Sequence, residues 1–219
     1  MSLTQNWQCQ DNAASTTIVA SVGTDASVDG GANTSTLSVL DGPGSNFPRS
    51  LQFSGASYAI NISNSLLSFA STVPVSICAW MKFTSLATNQ PLMGQGSGTS
   101  GRFALNNTPQ ALTTFTGSDH TWSLPALTTG VWQHVFFSRA ASNAVRVFLS
   151  GVESVTGSIT IAETFGPNYA GKYGNTRLNG KICDIRVYNS DESANVVAIM
   201  ALAGLGCPRQ SMMHLRRQR

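Results

Sequence analysis

Residues 180–203 constrain the fold more than any other segment, because a strong β-strand pattern there leads directly into a short helical pattern. Lys181–Tyr188 reads K-I-C-D-I-R-V-Y and is rich in β-branched and aromatic residues. The dipeptide Asn179-Gly180 before it favours a tight turn. The helix signals are the capping residues Ser190 and Asp191 and the apolar positions Val196, Val197, Met200 and Ala203. The segment predicts a strand followed by a short C-terminal helix.

Short alternating apolar segments, separated by Gly, Pro, Asn and Ser clusters, recur along the 219 residues and predict one all-β sandwich. Two long loops are predicted at Gly30–Asn46 and Gly94–Gly101, and a helical turn is an alternative at Asn64–Ala70. The other predicted strands are Thr17–Val22, Ser50–Phe53, Ala56–Ile62, Val75–Phe83, Pro91–Gly94, Arg102–Asn106, Ala111–Thr116, Val131–Arg139, Ala144–Leu149 and Ile159–Ile161.

Several segments, in the same order along the chain, resemble the motifs of laminin-G-like, concanavalin A-like jelly rolls. They are similar to that family's W-x-x-x-D, L-x-F-x-G, F-T-I-S-A-W-V-K, G-x-W-x-H-V, R-L-Y-V-D-G and G-x-I-D-D-V-R-I-Y-N motifs. The matching segments are Trp7–Thr16, Leu51–Gly55, Val75–Lys82, Gly130–Val135, Val145–Val152 and Gly180–Asn189. The resemblance implies an antiparallel concanavalin A-like β-sandwich. It does not imply one activity, because such folds serve as binding modules, enzymes and structural shells.

The resemblance also implies a structural calcium ion held by acidic residues near the first and last strands. This chain has Ala20-Ser21 and Cys183 where two of those acids are usual, and only Asp11 and Asp184 remain nearby in sequence. Calcium takes six to eight oxygen ligands, and a thiol is a poor substitute. We therefore expect no metal, with a structural calcium as the alternative.

Few residues are suited to catalysis. Glycoside hydrolysis needs two carboxyl groups that flank the scissile bond, and none of the three glutamates, at positions 153, 163 and 192, lies two or four residues from another acid on a predicted strand. His134 fits a packed strand histidine, and no metal-binding histidine spacing occurs. We expect a non-catalytic protein, and a glycosidase or lyase is the weakest alternative.

Two segments carry aromatic residues in polar surroundings and are the candidate contact surface for a glycan or a protein partner. One is T-G-S-D-H-T-W-S-L-P, with Asp119, His120 and Trp122, and the other carries Tyr169 and Tyr173. We predict that the loops Gly94–Gly101, Thr116–Leu124 and Thr164–Thr176 supply these contacts. The alternative is that these rings cover the edge of the sandwich or pack against a neighbouring subunit.

The net charge of +3 comes from the end of the chain. Four of the 13 basic residues lie in the last eleven positions, which leaves nine basic against ten acidic residues elsewhere. We divide the chain into a jelly-roll domain at 1–205 and a basic tail at 206–219. We predict that this basic tail binds nucleic acid, an acidic protein or a membrane surface and so anchors the domain. The alternative is that it is a solvated terminus without a partner. Its arginines are Arg209, Arg216, Arg217 and Arg219.

Only 11% of the residues are charged, whereas Ser and Thr number 28 and 21. Such a surface suits a subunit of an assembly. No signal peptide is evident at the first residues, which predicts synthesis in the cytoplasm. The leading hypothesis is a virion structural protein, such as a phage capsid decoration, head-fibre or tail-associated subunit. Its partners would be further copies of itself, capsid or tail proteins and host glycans, without membrane insertion. The alternative is an extracellular carbohydrate-binding or adhesion module.

The four cysteines show no C-x-x-C spacing, so zinc or redox chemistry is not indicated. We expect four free thiols, and a Cys9–Cys207 disulfide that joins the two ends of the chain is the alternative.

Overall fold

The computed structural model describes residues 2–63, 66–97, 101–106, 110–114 and 118–203, with the backbone alone at 110 and 112–114. These residues form two antiparallel sheets that pack face to face, as the sequence predicts. The first ten strands are β1 Leu3–Trp7, β2 Thr17–Ile18, β3 Ala20–Val22, β4 Ala26–Asp29, β5 Ser38–Val39, β6 Ser50–Ser54, β7 Ala59–Asn61, β8 Val75–Phe83, β9 Gln90–Gly94 and β10 Arg102–Asn106. The others are β11 Gln110–Thr114, β12 Asp119–Ser123, β13 Trp132–Arg139, β14 Ala144–Leu149, β15 Val152–Glu153, β16 Ile159–Thr160, β17 Tyr169–Ala170, β18 Lys172–Tyr173, β19 Thr176–Arg177 and β20 Asn179–Tyr188.

The two sheets differ in strand order. The ten-stranded sheet runs β15-β14-β13-β8-β20-β1-β3, with β16 beside β14, β6 beside β20 and β5 beside β6. The eight-stranded sheet runs β12-β11-β10-β9-β17-β7-β4-β2, and β18 and β19 form a separate hairpin. The first and last strands of the domain, β1 and β20, are neighbours in the ten-stranded sheet. The two ends of the fold are therefore held side by side within one sheet.

Alternating side chains of both sheets fill the space between them. Trp7, Phe53, Phe83, Phe103 and Phe137 are at most 2% exposed there. Burial of large aromatic and β-branched side chains is the main favourable contribution to folding. Because every second residue of a strand faces this core and must be apolar, the strands show an alternation of apolar residues in the sequence.

A second apolar layer covers the other face of the ten-stranded sheet. This covering layer consists of residues 44–47 and of helix α2, Val196–Ala201, which a 3₁₀ turn at Ser193–Asn195 precedes. Asn46 Nδ2 donates to the carbonyl of Leu202 at 2.9 Å and ties the two parts together. The predicted C-terminal helix is confirmed. The predicted capping by Ser190 and Asp191 is wrong, because Asp191 accepts the N–H of Ser193 at 3.0 Å before the 3₁₀ turn begins, and neither that turn nor α2 has a side-chain cap.

A buried arginine organises one end of the sandwich. Arg139 is fully buried and donates to the carbonyls of Phe69, Ala70, Val73 and Glu163 at 2.7–3.2 Å. A guanidinium can satisfy several carbonyls at once because its donors form a planar fork. Arg139 thus fixes two connecting segments to β13, and burial lowers its pKa.

Some predicted elements differ in the structure. The predicted loop Gly30–Asn46 contains helix α1, Thr34–Leu37, which Asn33 caps through the N–H of Thr36, and it also contains β5. The predicted helical turn falls partly outside the described residues, and its described part includes Phe69, which pairs with Phe165 as an isolated bridge. Strands β1, β4, β12, β15, β17, β18 and β19 were not predicted. Strands β4 and β12 carry polar residues at their outward positions, and β15 and β17–β19 have only two residues each.

Candidate functional site

A row of outward positions crosses the whole eight-stranded sheet on the face opposite the core. The strand register places Thr17 beside Ser27, Ser27 beside Asn61, and Asn61 beside Tyr169. It continues from Tyr169 to Gly94. Met93 pairs with Phe103, so Arg102 follows next to Gly94, and the row goes on from Arg102 to Thr114 and Asp119. The inward neighbours of these positions, such as Ile18, Val28, Ile60 and Ala170, belong to the core. We call these eight positions, from Thr17 to Asp119, the polar row.

One half of the polar row is a charged cluster. Arg102 Nη2 lies 2.6 Å from Asp119 Oδ1, and its guanidinium carbon lies 4.9 Å from the centre of the Tyr173 ring. Tyr173 Oη accepts a hydrogen bond from Asn89 Nδ2 at 2.8 Å. The hairpin of β18 and β19 folds back over Gly94, where any side chain would collide with Tyr173. The space of the missing side chain at Gly94 is therefore taken by the Cα and Cβ of Tyr173 and the carbonyl of Lys172.

A second charged contact lies beside Tyr169. Lys172 Nζ lies 4.1 Å from the centre of the Tyr169 ring and 3.1 Å from Asp29 Oδ2. Lys172 is 8% exposed, and its ammonium is held by both partners at once. One face of the Tyr169 ring is therefore occupied, and the ring itself stays half-buried at the surface.

The other half of the polar row is uncharged and open to solvent. Thr17 and Asn61 are exposed, and Ser27 is half-buried between them. Together with the Tyr169 hydroxyl, these side chains offer hydroxyl and amide groups from four adjacent strands. Neighbouring strands lie about 4.8 Å apart, so the four positions span about 14 Å. This half presents donors and acceptors in one line on a rigid sheet.

The structure brings three of the five predicted contact residues together, but two of the five, Trp122 and Tyr173, are buried and not on the surface. Asp119, Tyr169 and Tyr173 all lie on the polar row or directly over it. Trp122 is different: the loop prediction for its segment is wrong, because Trp122 lies in β12 and is fully buried in the core. His120, on the same side of β12 as Trp122, is half-buried.

The predicted contact loops are partly strands. Thr116–Leu124 contains β12, and Thr164–Thr176 contains β17 and β18, with Tyr173 only 7% exposed. Part of Gly94–Gly101 lies outside the described residues, and so do Cys207 and the four arginines of the tail. The role of the tail as an anchor therefore stays a prediction.

Sequence reasoning missed Arg102, Lys172, Asp29 and Asn61. Arg102 and Asn61 each end or begin a strand at an outward position, so the alternation of those strands could have identified them. Lys172 and Asp29 lie 143 residues apart. Only the hairpin over Gly94 brings them together, and the sequence gives no sign of it.

The residues at the expected calcium position do not fit a calcium ion. Cys183 Sγ donates to the carbonyl of Gln8 at 3.3 Å and accepts from Gln10 Nε2 at 3.3 Å. Gln10 Nε2 also donates to the carbonyl of Arg49 at 2.7 Å, and Gln10 Oε1 accepts the N–H of Arg49 at 2.9 Å. In the described part of the chain, no three His, Cys, Asp or Glu side chains are arranged to hold a metal. The amide of Gln10 and the thiol of Cys183 thus join the segments at Gln8–Gln10, Arg49 and Cys183 at this position.

The described cysteines Cys9, Cys78 and Cys183 are buried free thiols. Burial raises the pKa of each of them, so they stay protonated. Thiols in this state are poor nucleophiles and poor metal ligands.

Most acidic side chains are held by neighbours. Asp41 contacts Lys82, Lys181 and Trp132, Asp184 pairs with Arg186 at 2.8 Å, and each carboxylate serves a structural contact. Burial raises the pKa of Asp184, as a general acid would require, but this carboxyl is 2% exposed and paired.

Within the described residues, no helix has the length and apolar character needed to cross a bilayer.

Solved structures share this fold at low sequence identity. One is Domain 4 of AbnA, a GH43 extracellular arabinanase from Geobacillus stearothermophilus, in complex with arabinotriose, with a TM-score of 0.60 and 19% identity over 91% of this chain and 98% of that one. Another is Trypanosoma rangeli sialidase, with a TM-score of 0.61 and 13% identity over 93% of this chain but only 33% of the sialidase. A third, the HCR/D F1240A mutant, has a TM-score of 0.64 and 14% identity over 91% of this chain and 51% of that one. At these identities the similarity shows the fold alone.

No curated protein gives a significant sequence match. The family model Laminin_G_3, described as the concanavalin A-like lectin/glucanases superfamily, matches residues 54–198, about two thirds of the sequence. The matched part includes β8, β13 and β20, the strands that carry the sequence motifs. The chain therefore belongs to the concanavalin A-like lectin/glucanase superfamily.

Proposed function

We propose that this chain is a non-catalytic carbohydrate-binding module that binds glycans along the uncharged half of the polar row. The observation that carries the proposal is the line of Thr17, Ser27, Asn61 and Tyr169 across four adjacent strands, with two of the four side chains exposed. Sugars are recognised by hydroxyl and amide groups that both donate and accept hydrogen bonds. A rigid sheet holds such groups in place before the ligand arrives, which lowers the entropic cost of binding.

Two further points support this proposal. The arabinanase domain of which this chain covers 98% was solved with arabinotriose, so a whole domain of this size and fold occurs with an oligosaccharide. Several carboxylates that could otherwise serve catalysis are committed to ion pairs, as for Asp29, Asp41 and Asp119. The role we assign is therefore recognition and not hydrolysis.

The test uses the full chain on a glycan array and then calorimetric titration with arabinotriose and the strongest array ligand. We expect Asn61→Ala to weaken binding about fivefold, since a lost hydrogen bond costs about 1 kcal/mol. Ser123→Ala is the matched control, because Ser123 is also exposed in the eight-stranded sheet but lies on its far edge strand, β12. Absence of any array signal, or equal affinity of Asn61→Ala and the parent protein, would count against the proposal.

A virion surface subunit is the second candidate, and it is compatible with glycan binding. The favouring observation is that several of the domain's charges pair with one another, as in Arg102–Asp119, Lys172–Asp29 and Arg146–Glu153, so that fewer of them stand free at the surface. Surfaces with few free charges lose little solvation when they pack against other subunits. In this role the tail arginines would anchor the protein to a particle.

The mass of the protein in solution, with and without residues 206–219, tests the second candidate. A defined oligomer that becomes monomeric on truncation would support an assembly subunit with the tail as its anchor. A monomer in both cases, with no affinity for any capsid, would remove this candidate and leave the carbohydrate-binding module.

A further inference from the structure

A pocket of ≈ 260 Å³ lies at the side edge of the sandwich, where the chain passes from one sheet to the other. It is lined by Gln8, Gln10, Asp11, Val19, Ala20 and Ser21. Strand β2 is the edge of the eight-stranded sheet and β3 the edge of the ten-stranded sheet, so Val19 lies at the crossing. Thr17, the end of the polar row, is two residues away along the chain.

The pocket has a rigid wall. Gln8 precedes Cys9, whose φ of 58° is in the left-handed region, and the carbonyl of Gln8 accepts the N–H of Asp184, whose φ is 50°. Such backbone conformations are costly for residues other than glycine and are enriched at ligand-binding sites. The side chain of Gln10 is immobilised by its bonds to Gln8 and Arg49. The wall therefore has a fixed shape.

The lining combines polar and apolar groups. Asp11 Oδ1 accepts the N–H of Val19 at 3.2 Å, and among the described residues Asp11 Oδ2 and the side-chain amide of Gln8 have no hydrogen-bond partner. Val19 is 57% exposed and offers an apolar surface beside them. The pocket thus presents a carboxylate oxygen, an amide that both donates and accepts, and an apolar patch. Its size suits one small ligand and not a peptide.

We propose that this edge pocket binds a single neutral sugar ring with adjacent hydroxyl groups, and so forms a subsite next to the polar row. The proposal rests on the carbohydrate-binding function proposed above. Sugar hydroxyls donate to the carboxylate of Asp11 and exchange hydrogen bonds with Gln8, while the apolar C–H face of the ring packs on Val19. The one charge of the lining is a carboxylate, so the pocket disfavours acidic sugars such as uronic or sialic acids.

The experiment follows the backbone amide signals of Asp11, Ala20 and Ser21 by NMR while L-arabinose, D-galactose, D-glucose or D-mannose is added to the full chain. We expect saturable shifts with at least one of these sugars. Asp11→Asn keeps the acceptor for the N–H of Val19 and removes only the charge. It should weaken binding about fivefold to tenfold, since a hydrogen bond to a charged group contributes about 1–1.5 kcal/mol more than one to a neutral group. Ser21→Trp, which fills the pocket from an exposed position, should abolish the shifts.

Asp25→Asn is the matched control. Asp25 Oδ1 accepts the N–H of Ala20 at 2.8 Å, so this variant makes the same change of charge beside the same strand but outside the pocket lining. It should bind as the parent protein does.

Three outcomes would overturn the inference. They are no shift with any of the four sugars, equal affinities of Asp11→Asn and Asp25→Asn, or shifts at these amides only when calcium is added. If the array and arabinotriose titrations succeed while the pocket variants have no effect, the inference fails and the proposed function stands. If no glycan binds at all, both fail.

Discussion

The two sheets present very different surfaces on the sides that face away from the core. On the ten-stranded sheet, Trp80, Phe136 and Tyr188 point outward, yet each is at most 2% exposed because the covering layer lies on them. On the eight-stranded sheet, the corresponding face carries the polar row, where Asn61 and Thr17 reach solvent. One face is used for stability, and the other is available for binding.

The covered face also buries polar atoms that have no partner. Among the described residues, Trp80 Nε1 and His134 Nδ1 are buried without a hydrogen bond, and their rings lie 5.2 Å apart. A buried unsatisfied group costs about 1–3 kcal/mol. The apolar contacts of the covering layer must outweigh that cost. A face of this kind is closed to a ligand unless the covering layer moves, and this is why we propose the opposite sheet as the binding surface.

Phe136→Ala on the covered face should cause the largest loss of stability, because this face is the one used for stability. Phe136 is fully buried and packs edge-to-face on Phe148 with ring centres 5.8 Å apart. We expect a loss of about 3–5 kcal/mol in the free energy of unfolding, measured with urea. Thr121→Ala, at an exposed position of β12, should change it by less than about 0.5 kcal/mol. A cost below about 1 kcal/mol for Phe136→Ala would show that the covering layer packs loosely.

The covered face should also make the protein sensitive to mild acid through His134. Burial, with a smaller effect of Arg186, lowers the pKa of His134 to about 3, whereas the unfolded pKa is about 6.5. Below pH 6.5 the unfolded chain therefore binds a proton that the folded chain does not, and stability falls. The expected loss between pH 7 and pH 5 is about 2 kcal/mol.

His134→Phe checks this origin, since it removes the titrating group and leaves no polar atom unpaired at that position. Urea unfolding at pH 7 and pH 5 should give a clearly smaller loss in the variant than in the parent protein. If both lose the same stability, the acid sensitivity arises elsewhere in the chain.

Asp41 lies at a partly exposed end of the covered face, and its contribution to stability should be lost only at a lower pH than that of His134. Burial alone would raise the pKa of Asp41, but hydrogen bonds from Lys181, Lys82 and Trp132 lower it to about 2. A lowered folded pKa means that the contribution is complete above the unfolded value of about 3.9 and is lost as pH falls towards 2. The side chain of Asp41 is 31% exposed, so screening limits the contribution to about 1 kcal/mol.

Asp41→Asn should remove this loss of stability at low pH. The difference in unfolding free energy between parent and variant should shrink from pH 5 to pH 2. A difference that stays constant over this range would exclude Asp41 as the titrating group.

The sequence predicted the covered face better than the open one, for a physical reason. Strand β8 is buried on both sides and reads as nearly continuous apolar residues, so its bounds, Val75–Phe83, were predicted correctly. Strand β12 has the same backbone but a solvated outer face, and its residues Asp119, Thr121 and Ser123 gave it the composition of a loop. The period-two alternation was present, with Trp122 on the inner side, but the polar residues concealed it.

The candidate site was predictable only where one strand supplies the signal. Asp119 and Tyr169 were found from their local sequence, whereas the contact of Lys172 with Asp29 depends on chain segments that meet only in the folded sandwich. The edge pocket was not predicted at all, since Val19 and Ser21 have no pattern that marks a binding site. The fold was predictable because the same burial pattern recurs in many strands. A site can depend on a single contact between distant segments, which leaves no such pattern in the sequence.

Asp119→Asn, on the outer face of the eight-stranded sheet, should cause the smallest loss of stability. The side chain of Asp119 is 57% exposed, and its ion pair with Arg102 is screened by water, so we expect a loss below about 1 kcal/mol in the free energy of unfolding. Arg102 keeps its contact with the Tyr173 ring in this variant. The matched change on the covered face is Asp184→Asn, which leaves the buried guanidinium of Arg186 without its partner and should cost several times more. Equal losses for the two variants, measured by urea unfolding at pH 7, would mean that the charged half of the polar row is as structural as the covered face, and they would contradict the view that only the covered face is used for stability.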